Sequence, residues 1–185
     1  MKVAEVMTRN VQSCTPETNL AAAAMQMWNG DFGTLPVVDD EGSVIGMITD
    51  RDICIAAATR HEDIANIKVS EVTTREVQSC TPETSVPDAL KTFEQARVRR
   101  LPVVDEDDKL QGILSINDIV RRTEEGRDKK FTGVSYADVM NTFKAICAPH
   151  TKATAAGANF FETSEARPGL RPLRMQDHRS RHRSQ

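Results

Sequence analysis

An internal repeat constrains this chain more than any other feature of its sequence. The segment KVAEVMTRNVQSCTPET begins at Lys2, and the segment KVSEVTTREVQSCTPET, which differs from it at three positions, begins at Lys68. The same offset places one LPVVD on a second LPVVD, and GMITDRDI on GILSINDI, without an insertion. The chain therefore uses one structural unit of about sixty residues twice.

The size of the repeated unit predicts that the two copies pack together. A domain of about sixty residues buries little apolar surface when it stands alone, and two units packed face to face solve that problem. Hydrophobic residues make up 39% of the 185 residues, charged residues 28% and aromatic residues only 4%, which is typical of a soluble protein with an aliphatic core. No apolar run reaches the roughly 18 residues of a membrane span, and the N-terminus MKVAEVMT lacks a secretory signal. We expect a cytoplasmic protein.

The cysteines do not indicate a metal site. Cys14, Cys54, Cys80 and Cys147 show neither a CxxC spacing nor a nearby cluster of histidines. Cys14 and Cys80 are equivalent in the repeat, and we expect both to be small buried hydrophobic residues in a reducing compartment.

Each unit shows the same order of local signals. A short lead that is compatible with a helix precedes the extended segment VQSCTP, in which proline biases the preceding threonine toward extended geometry. Thr18 and Thr84 are then the predicted N-caps of a helix, which is followed by two short β-branched runs separated by a turn and by a closing helix. The predicted fold class is α/β (α+β), with two pseudo-symmetric strand, helix, strand, strand, helix repeats.

The apolar positions of the first helix in each unit fall on one face. This face comprises Leu20, Ala24 and Met27 in the first unit and Val86, Leu90 and Phe93 in the second. The closing helices are predicted to begin at Asp50 and Ile116. We expect a single pair of repeats to leave residues such as Met27 and Phe93 exposed, which favours a homodimer.

In their order and spacing, these motifs resemble a tandem pair of cystathionine β-synthase (CBS) domains, also called a Bateman module. The resemblance extends from Met1 to Glu125 and divides the chain into repeats at 1–66 and 67–126, a helical extension at 127–148 and a basic tail at 149–185. It implies two clefts between the repeats that bind AMP, ADP, ATP or S-adenosylmethionine, and a dimer that forms a disc of four repeats.

Two hydroxyl and acid pairs are candidate ligand contacts. Thr49 precedes Asp52 by three residues, and Ser115 precedes Asp118 by the same spacing. At a helix N-terminus, the hydroxyl and the free N–H groups favour a phosphate, and the carboxylate can accept hydrogen bonds from a ribose. The competing interpretation is a capping box that satisfies the helix end by itself. Resemblance to the CBS family favours ligand binding.

The remaining candidate residues come from the family resemblance. It implies that the SCTP segments border the adenine, through Ser13, Thr15, Ser79 and Thr81. Arg99 and Arg100 precede the second LPVVD, at positions that approach phosphates in related modules, whereas Gly33 and Thr34 precede the first. The two clefts are therefore not expected to be equivalent. A solvated charge run is the alternative for the arginines, and the sequence leaves open which acid shares their cleft.

Beyond residue 126 the repeat ends. Apolar residues near helical spacing in GVSYADVMNTFKAIC predict an amphipathic helix that covers the pair or contacts a dimer partner. After Pro149 the composition predicts disorder, and the segment 167–185 holds six arginines and one aspartate. A nucleic acid is a weaker candidate partner for this basic end.

No catalytic motif was found, so we expect no enzyme activity and no required cofactor. The sequence favours a regulatory module that senses an adenine nucleotide or adenosyl compound and acts on an effector protein that the sequence does not name. A structural dimerisation module without a tight ligand is the alternative, and binding of nucleic acid through the tail is the third possibility.

Deleting residues 150–185 should leave the melting temperature and the response to nucleotides almost unchanged. The reason is that this segment lacks the apolar content to contribute to a core. Thermal melts of the full and truncated chains, with and without AMP, test this expectation. A large loss of cooperativity in the truncated chain would contradict it.

Overall fold

The repeat is visible in the order of secondary-structure elements. The computed structural model describes residues 1–74, 76–123 and 133–148, so the predicted tail lies outside the described residues. The first unit contains helix α1 (Leu20–Gly30), strands β1 (Thr34–Val38) and β2 (Val44–Thr49), and helix α2 (Asp50–Thr59). The second contains helix α3 (Val86–Ala96), strands β3 (Arg100–Val104) and β4 (Leu110–Ser115), and helix α4 (Ile116–Val120), followed by α5 (Tyr136–Cys147). The predicted mixed helix and sheet fold is confirmed.

Each unit is built on an antiparallel hairpin. Thr34 pairs with Thr49 in the first hairpin, and Arg100 pairs with Ser115 in the second. The predicted leading strand is reduced to one parallel bridge in each unit, between Cys14 and Val37 and between Cys80 and Val103. The strand pairing ends at this bridge because the N–H of the following residue points away from the sheet. The residue after that is a proline, which has no N–H to donate.

The N-caps of α1 and α3 lie one residue later than the sequence analysis predicted. The Thr18 hydroxyl accepts a hydrogen bond from the Thr15 N–H at 3.1 Å and so closes the turn before the helix. Asn19 is the N-cap instead, and its side chain accepts from the Ala22 N–H at 2.8 Å. The second unit repeats this arrangement, with Ser85 rather than Thr84 as the N-cap.

The two repeats exchange their lead segments. The 3-10 turn Val3–Glu5 packs into the core of the second unit, and the equivalent turn Val69–Glu71 packs into the core of the first. The Val3 N–H donates to the Thr84 carbonyl at 2.9 Å, and the Val69 N–H donates to the Thr18 carbonyl at 2.8 Å. Each core is therefore completed by the lead of the other repeat. The domain boundary predicted after residue 66 describes the repeat in the sequence, and it stays a prediction.

The hairpins meet at equivalent positions. Ser43 and Lys109, which correspond to each other in the repeat, form an antiparallel bridge between the two turns. The Val44 N–H donates to the Asp108 carbonyl at 2.9 Å. A pseudo-twofold axis thus passes between the hairpins.

The predicted apolar helix faces are buried, which corrects the expected cause of dimerisation. Met27 is 5% exposed and Phe93 is fully buried, each within its own unit. They are not available to a second molecule, so they are wrong as a reason for a dimer. The predicted C-terminal helix is present as α5, which packs on α3 and α4 and buries Val139 and Ile146.

Replacing Gly112 by alanine should destabilise the protein by about 1 to 3 kcal/mol, as overpacking does in other cores. A Cβ there would lie 2.6 Å from the Thr8 carbonyl oxygen, in backbone that is paired with β4. The matched variant Gly46→Ala should lose less, because the nearest atom, at 2.4 Å, is the Thr73 methyl, a side-chain group that can rotate. Urea denaturation of both variants measures the losses. Unchanged stability of Gly112→Ala would contradict the packing of the lead on β4.

Candidate functional site

The predicted hydroxyl and acid pairs both lie at helix N-termini. The Thr49 hydroxyl accepts from the Asp52 N–H at 3.2 Å, while Asp52 Oδ2 accepts from the Thr49 N–H at 2.9 Å and from its hydroxyl at 2.7 Å. Ser115 and Asp118 form the same contacts at 3.2, 2.9 and 2.6 Å. Both pairs are therefore complete capping boxes.

Each capping box leaves acceptor capacity on its carboxylate. The hydrogen bonds to Asp52 and Asp118 all end on Oδ2, and no group among the described residues donates to Oδ1 of either acid. Both side chains are half-buried. A carboxylate oxygen in this setting can accept a hydroxyl from a ligand while the box stays intact.

The repeats contact each other where their first strands begin. Arg100 Nη1 donates to Thr34 Oγ1 at 3.4 Å, and these two residues occupy equivalent positions in β3 and β1. Thr34 lies opposite Thr49, and Arg100 lies opposite Ser115. The structure thus gathers four of the predicted site residues around the pseudo-twofold axis.

A cleft of about 410 Å³ lies on the first-repeat side of this contact. Residues of α1 and α2 line it together with Arg100, which enters from the second repeat. Neither Thr49 and Asp52 nor Ser115 and Asp118 are part of this lining, so which acid shares a cleft with Arg100 stays a prediction. Arg99 is exposed and is not part of this lining.

Asp50 is a charged residue of this cleft that sequence reasoning missed. It lines the cleft with Asp31, and its Oδ1 accepts from the Arg51 N–H at 2.7 Å. The equivalent residue in the second unit is Ile116, which is buried. This difference between equivalent positions of the two repeats is the signal in the sequence from which the charge could have been predicted. The carboxylate lowers the positive charge that the cleft offers to an anion.

The SCTP segments lie farther along the strands. Cys14 is held beside β1 by its N–H, which donates to the Pro36 carbonyl at 3.0 Å, and it pairs with Val37, three residues from Thr34. At the usual rise of a strand, this separation is about 10 Å. The predicted residues that flank the two cysteines are partly or fully accessible, namely Ser13, Thr15, Ser79 and Thr81. They are not gathered with Arg100.

The described residues give no sign of a metal centre or a membrane span. In residues 1–74, 76–123 and 133–148, no three His, Cys, Asp or Glu side chains are placed to hold a metal ion. Within the same ranges, no helix is both long and apolar enough to cross a membrane.

Comparison with protein families identifies the fold. The model of the CBS domain matches residues 3–58 and again residues 69–125, so the chain belongs to the CBS domain family. The resemblance found in the sequence is confirmed.

Individual relatives align with most of this chain. The CBS domain-containing protein YhcV of Bacillus subtilis is 32% identical over 139 residues, which are 74% of this chain and 97% of that protein. Inosine-5'-monophosphate dehydrogenase of Methanocaldococcus jannaschii is 33% identical over 70% of this chain, which corresponds to only 25% of the enzyme. A crystal structure of CBSX2 in complex with AMP aligns with a TM-score of 0.59 at 28% identity, covering 65% of this chain and 94% of that one.

Thiol reactivity should divide the four cysteines into two classes. Burial raises the pKa of Cys14 and of Cys80 to about 11, whereas Cys54 and Cys147 are exposed. At pH 8, a thiol with such a pKa is only about one-thousandth thiolate, and the thiolate is the reactive form. We therefore expect two rapidly reacting thiols per native chain and four after denaturation, measured with a chromogenic disulfide reagent. Four rapid thiols in the native protein would contradict the burial of Cys14 and Cys80.

Proposed function

We propose that this chain is a non-catalytic regulatory module that binds an adenine nucleotide or adenosyl compound between its repeats. AMP, ADP, ATP and S-adenosylmethionine are the candidate ligands, no cofactor is required, and the proposed location is the cytoplasm. The observation that carries the proposal is the position of the Arg100 guanidinium, which crosses from the second repeat to Thr34, the strand partner of Thr49.

The proposed contacts divide the nucleotide into three parts. Arg100 binds the phosphate, because a guanidinium forms strong charge-assisted hydrogen bonds with phosphate oxygens. In the proposed complex, Asp52 Oδ1 accepts a ribose hydroxyl in one cleft between the repeats, and Asp118 Oδ1 does so in the other. The serine and threonine residues of the SCTP segments border the base. The AMP complex of CBSX2 supports this ligand class.

The charges of the described residues favour a small phosphate over a large one. Arg100 lines the cleft together with two carboxylates, those of Asp31 and Asp50. A triphosphate brings more negative charge to these carboxylates than a monophosphate does. We expect AMP or an adenosyl compound to bind more tightly than ATP. In the second cleft that the repeat implies, Thr34 stands at the position equivalent to Arg100, so we expect that cleft to suit a ligand without a phosphate.

The proposed position of the site between the two repeats provides a mechanism of signalling. A ligand that contacts both repeats stabilises one of their relative arrangements, and a homodimer or an effector protein detects that arrangement. The second hydroxyl and acid pair also lies at the start of α4, and α4 packs against α5. A change at this pair is therefore transmitted to the C-terminal helix.

A structural dimerisation module is the second candidate function. Both capping boxes are closed by contacts within the chain, so neither acid needs a ligand to be satisfied. Under this alternative, the clefts bind no adenine compound tightly. Nucleic-acid binding through the tail concerns residues outside those that the structure describes.

Asp52→Ala should weaken AMP binding about ten- to a hundredfold, because hydrogen bonds to a charged acceptor contribute roughly 1.5 to 3 kcal/mol. Asp118→Ala should weaken binding in the second cleft to a similar degree. The matched control is Asp138→Ala, which removes the same capping box at α5, outside the cleft that Arg100 lines. All three variants should lose about 1 kcal/mol of stability as caps, but only the first two should lose affinity.

Calorimetric titration with AMP and with adenosine measures these affinities and separates the contacts. Arg100→Ala should weaken AMP binding and leave adenosine binding nearly unchanged, since adenosine has no phosphate. If no adenine compound binds the parent protein, or if neither acid variant alters binding, the sensing function is wrong and the structural function replaces it.

A further inference from the structure

The internal repeat allows the charges at equivalent surface positions to be compared. Three exposed arginines of the second repeat, which we call the arginine patch, are Arg99, Arg121 and Arg122. The residues at the equivalent positions of the first repeat carry no charge and are Gly33, Ile55 and Ala56. The first repeat folds without arginines at these positions, so the fold itself does not require them.

The three arginines of the patch lie at the two ends of one short helix. The Arg99 carbonyl accepts a hydrogen bond at 3.1 Å from the N–H of Ile116, the first residue of α4. Arg121 is the C-cap of the same helix, and Arg122 is the next residue. Because a helix of five residues is only about 7.5 Å long, the three α-carbons lie within about 15 Å of one another.

No carboxylate among the described residues forms an ion pair with the arginine patch. The ion pairs found in residues 1–74, 76–123 and 133–148 involve other cations, namely Lys2, Arg60, Lys68 and Lys91. Asp118 lies one helical turn before Arg121, but its carboxylate is engaged in the capping box with Ser115. Like charges that lie this close repel one another, and a bound anion removes the repulsion.

We propose that the arginine patch binds an acidic segment of the effector protein, a segment with three or more carboxylates within about five residues. A guanidinium forms strong charge-assisted hydrogen bonds with a carboxylate, often in pairs. Five extended residues span about 16 Å, which matches the size of the patch. This inference rests on the effector protein that the proposed function includes, and it names the chemistry by which that protein is recognised.

The charge of the chain favours a short acidic peptide over a nucleic acid as the partner. Residues 1–166 contain 18 basic and 26 acidic side chains, which gives a net charge of −8. Binding of a nucleic acid depends on long-range attraction to a chain of phosphates, and this net charge opposes it. A peptide with a few carboxylates contacts only the patch, so the local charge determines its affinity.

The position of the patch connects it with the proposed nucleotide site. Arg99 directly precedes Arg100, whose guanidinium reaches Thr34 of the first repeat. Arg121 ends the helix whose N-terminus carries the Ser115 and Asp118 pair. A partner on the patch therefore contacts the start of β3 and α4, which are the elements of the second repeat that carry the proposed ligand contacts.

Fluorescence anisotropy with a fluorescein-labelled oligoglutamate measures the proposed contact. The peptide should bind the full chain, and its affinity should fall as the salt concentration rises, because salt screens exposed charges. An oligoglutamine of the same length is the uncharged control and should not bind. The proposal is wrong if the oligoglutamate does not bind even at low salt.

Matched substitutions locate the contact on the patch. Arg121→Glu should raise the dissociation constant of the oligoglutamate at least about tenfold. Arg51→Glu makes the same change of charge at an exposed position of the first repeat and should have little effect. The double variant Arg99→Gly, Arg121→Ile carries the residues that the first repeat has at these positions, so it should fold and also bind the peptide weakly.

Two outcomes of these titrations would overturn the proposal. If Arg121→Glu and the double variant bind the oligoglutamate as tightly as the parent, the peptide contacts other cations, such as those of segment 167–185. If Arg121→Glu instead loses binding of a labelled oligouridylate and keeps binding of the peptide, the partner of the patch is a nucleic acid.

Titration with AMP separates this inference from the proposed function. Arg121→Glu should bind AMP as the parent does, because Arg121 does not line the cleft that Arg100 enters. A parent that binds the oligoglutamate but no adenine compound contradicts only the nucleotide function. A parent that binds AMP but not the oligoglutamate contradicts only the proposal for the patch.

Discussion

The exchange of the two lead turns is the contact on which the rest of the structure depends. Val3 and Val69 are fully buried, each in the core of the other repeat, and their N–H groups donate to the carbonyls of Thr84 and Thr18. Burial of one such side chain contributes about 1.5 to 3 kcal/mol, and neither core is complete without it. The repeats therefore fold as one body. This body brings the starts of β1 and β3 together, so that Arg100 reaches Thr34.

The element order could be predicted because the repeat supplied each signal twice. Both hairpins, the helices α1 to α4 and the burial of the equivalent cysteines follow from patterns that agree between the copies. The exchange of leads could not be predicted, since the aligned sequence is the same whichever body a lead packs on. The cap positions were displaced by one residue because Thr18 and Asn19 can both cap a helix, and the competing turn at Thr15 decides between them.

The candidate site could be predicted from the sequence only in part, for a related reason. The spacing of Thr49 and Asp52 is the same in a ligand site and in a capping box, and the box formed by Ser135 and Asp138 on α5 shows the motif outside the cleft that Arg100 lines. The direction of the Arg100 side chain depends on packing between the repeats, which no local pattern contains. Comparison of the two repeats does show where the site departs from symmetry, because it does so at positions where equivalent residues differ in charge.

A crystal structure of the protein grown with AMP tests the central proposal most directly. We predict electron density for AMP in the cleft between the repeats, with a phosphate oxygen within hydrogen-bonding distance of the Arg100 guanidinium and a ribose hydroxyl on Asp52 Oδ1. Crystals that contain no nucleotide at saturating AMP, or that bind it without contact to either residue, would contradict the proposal.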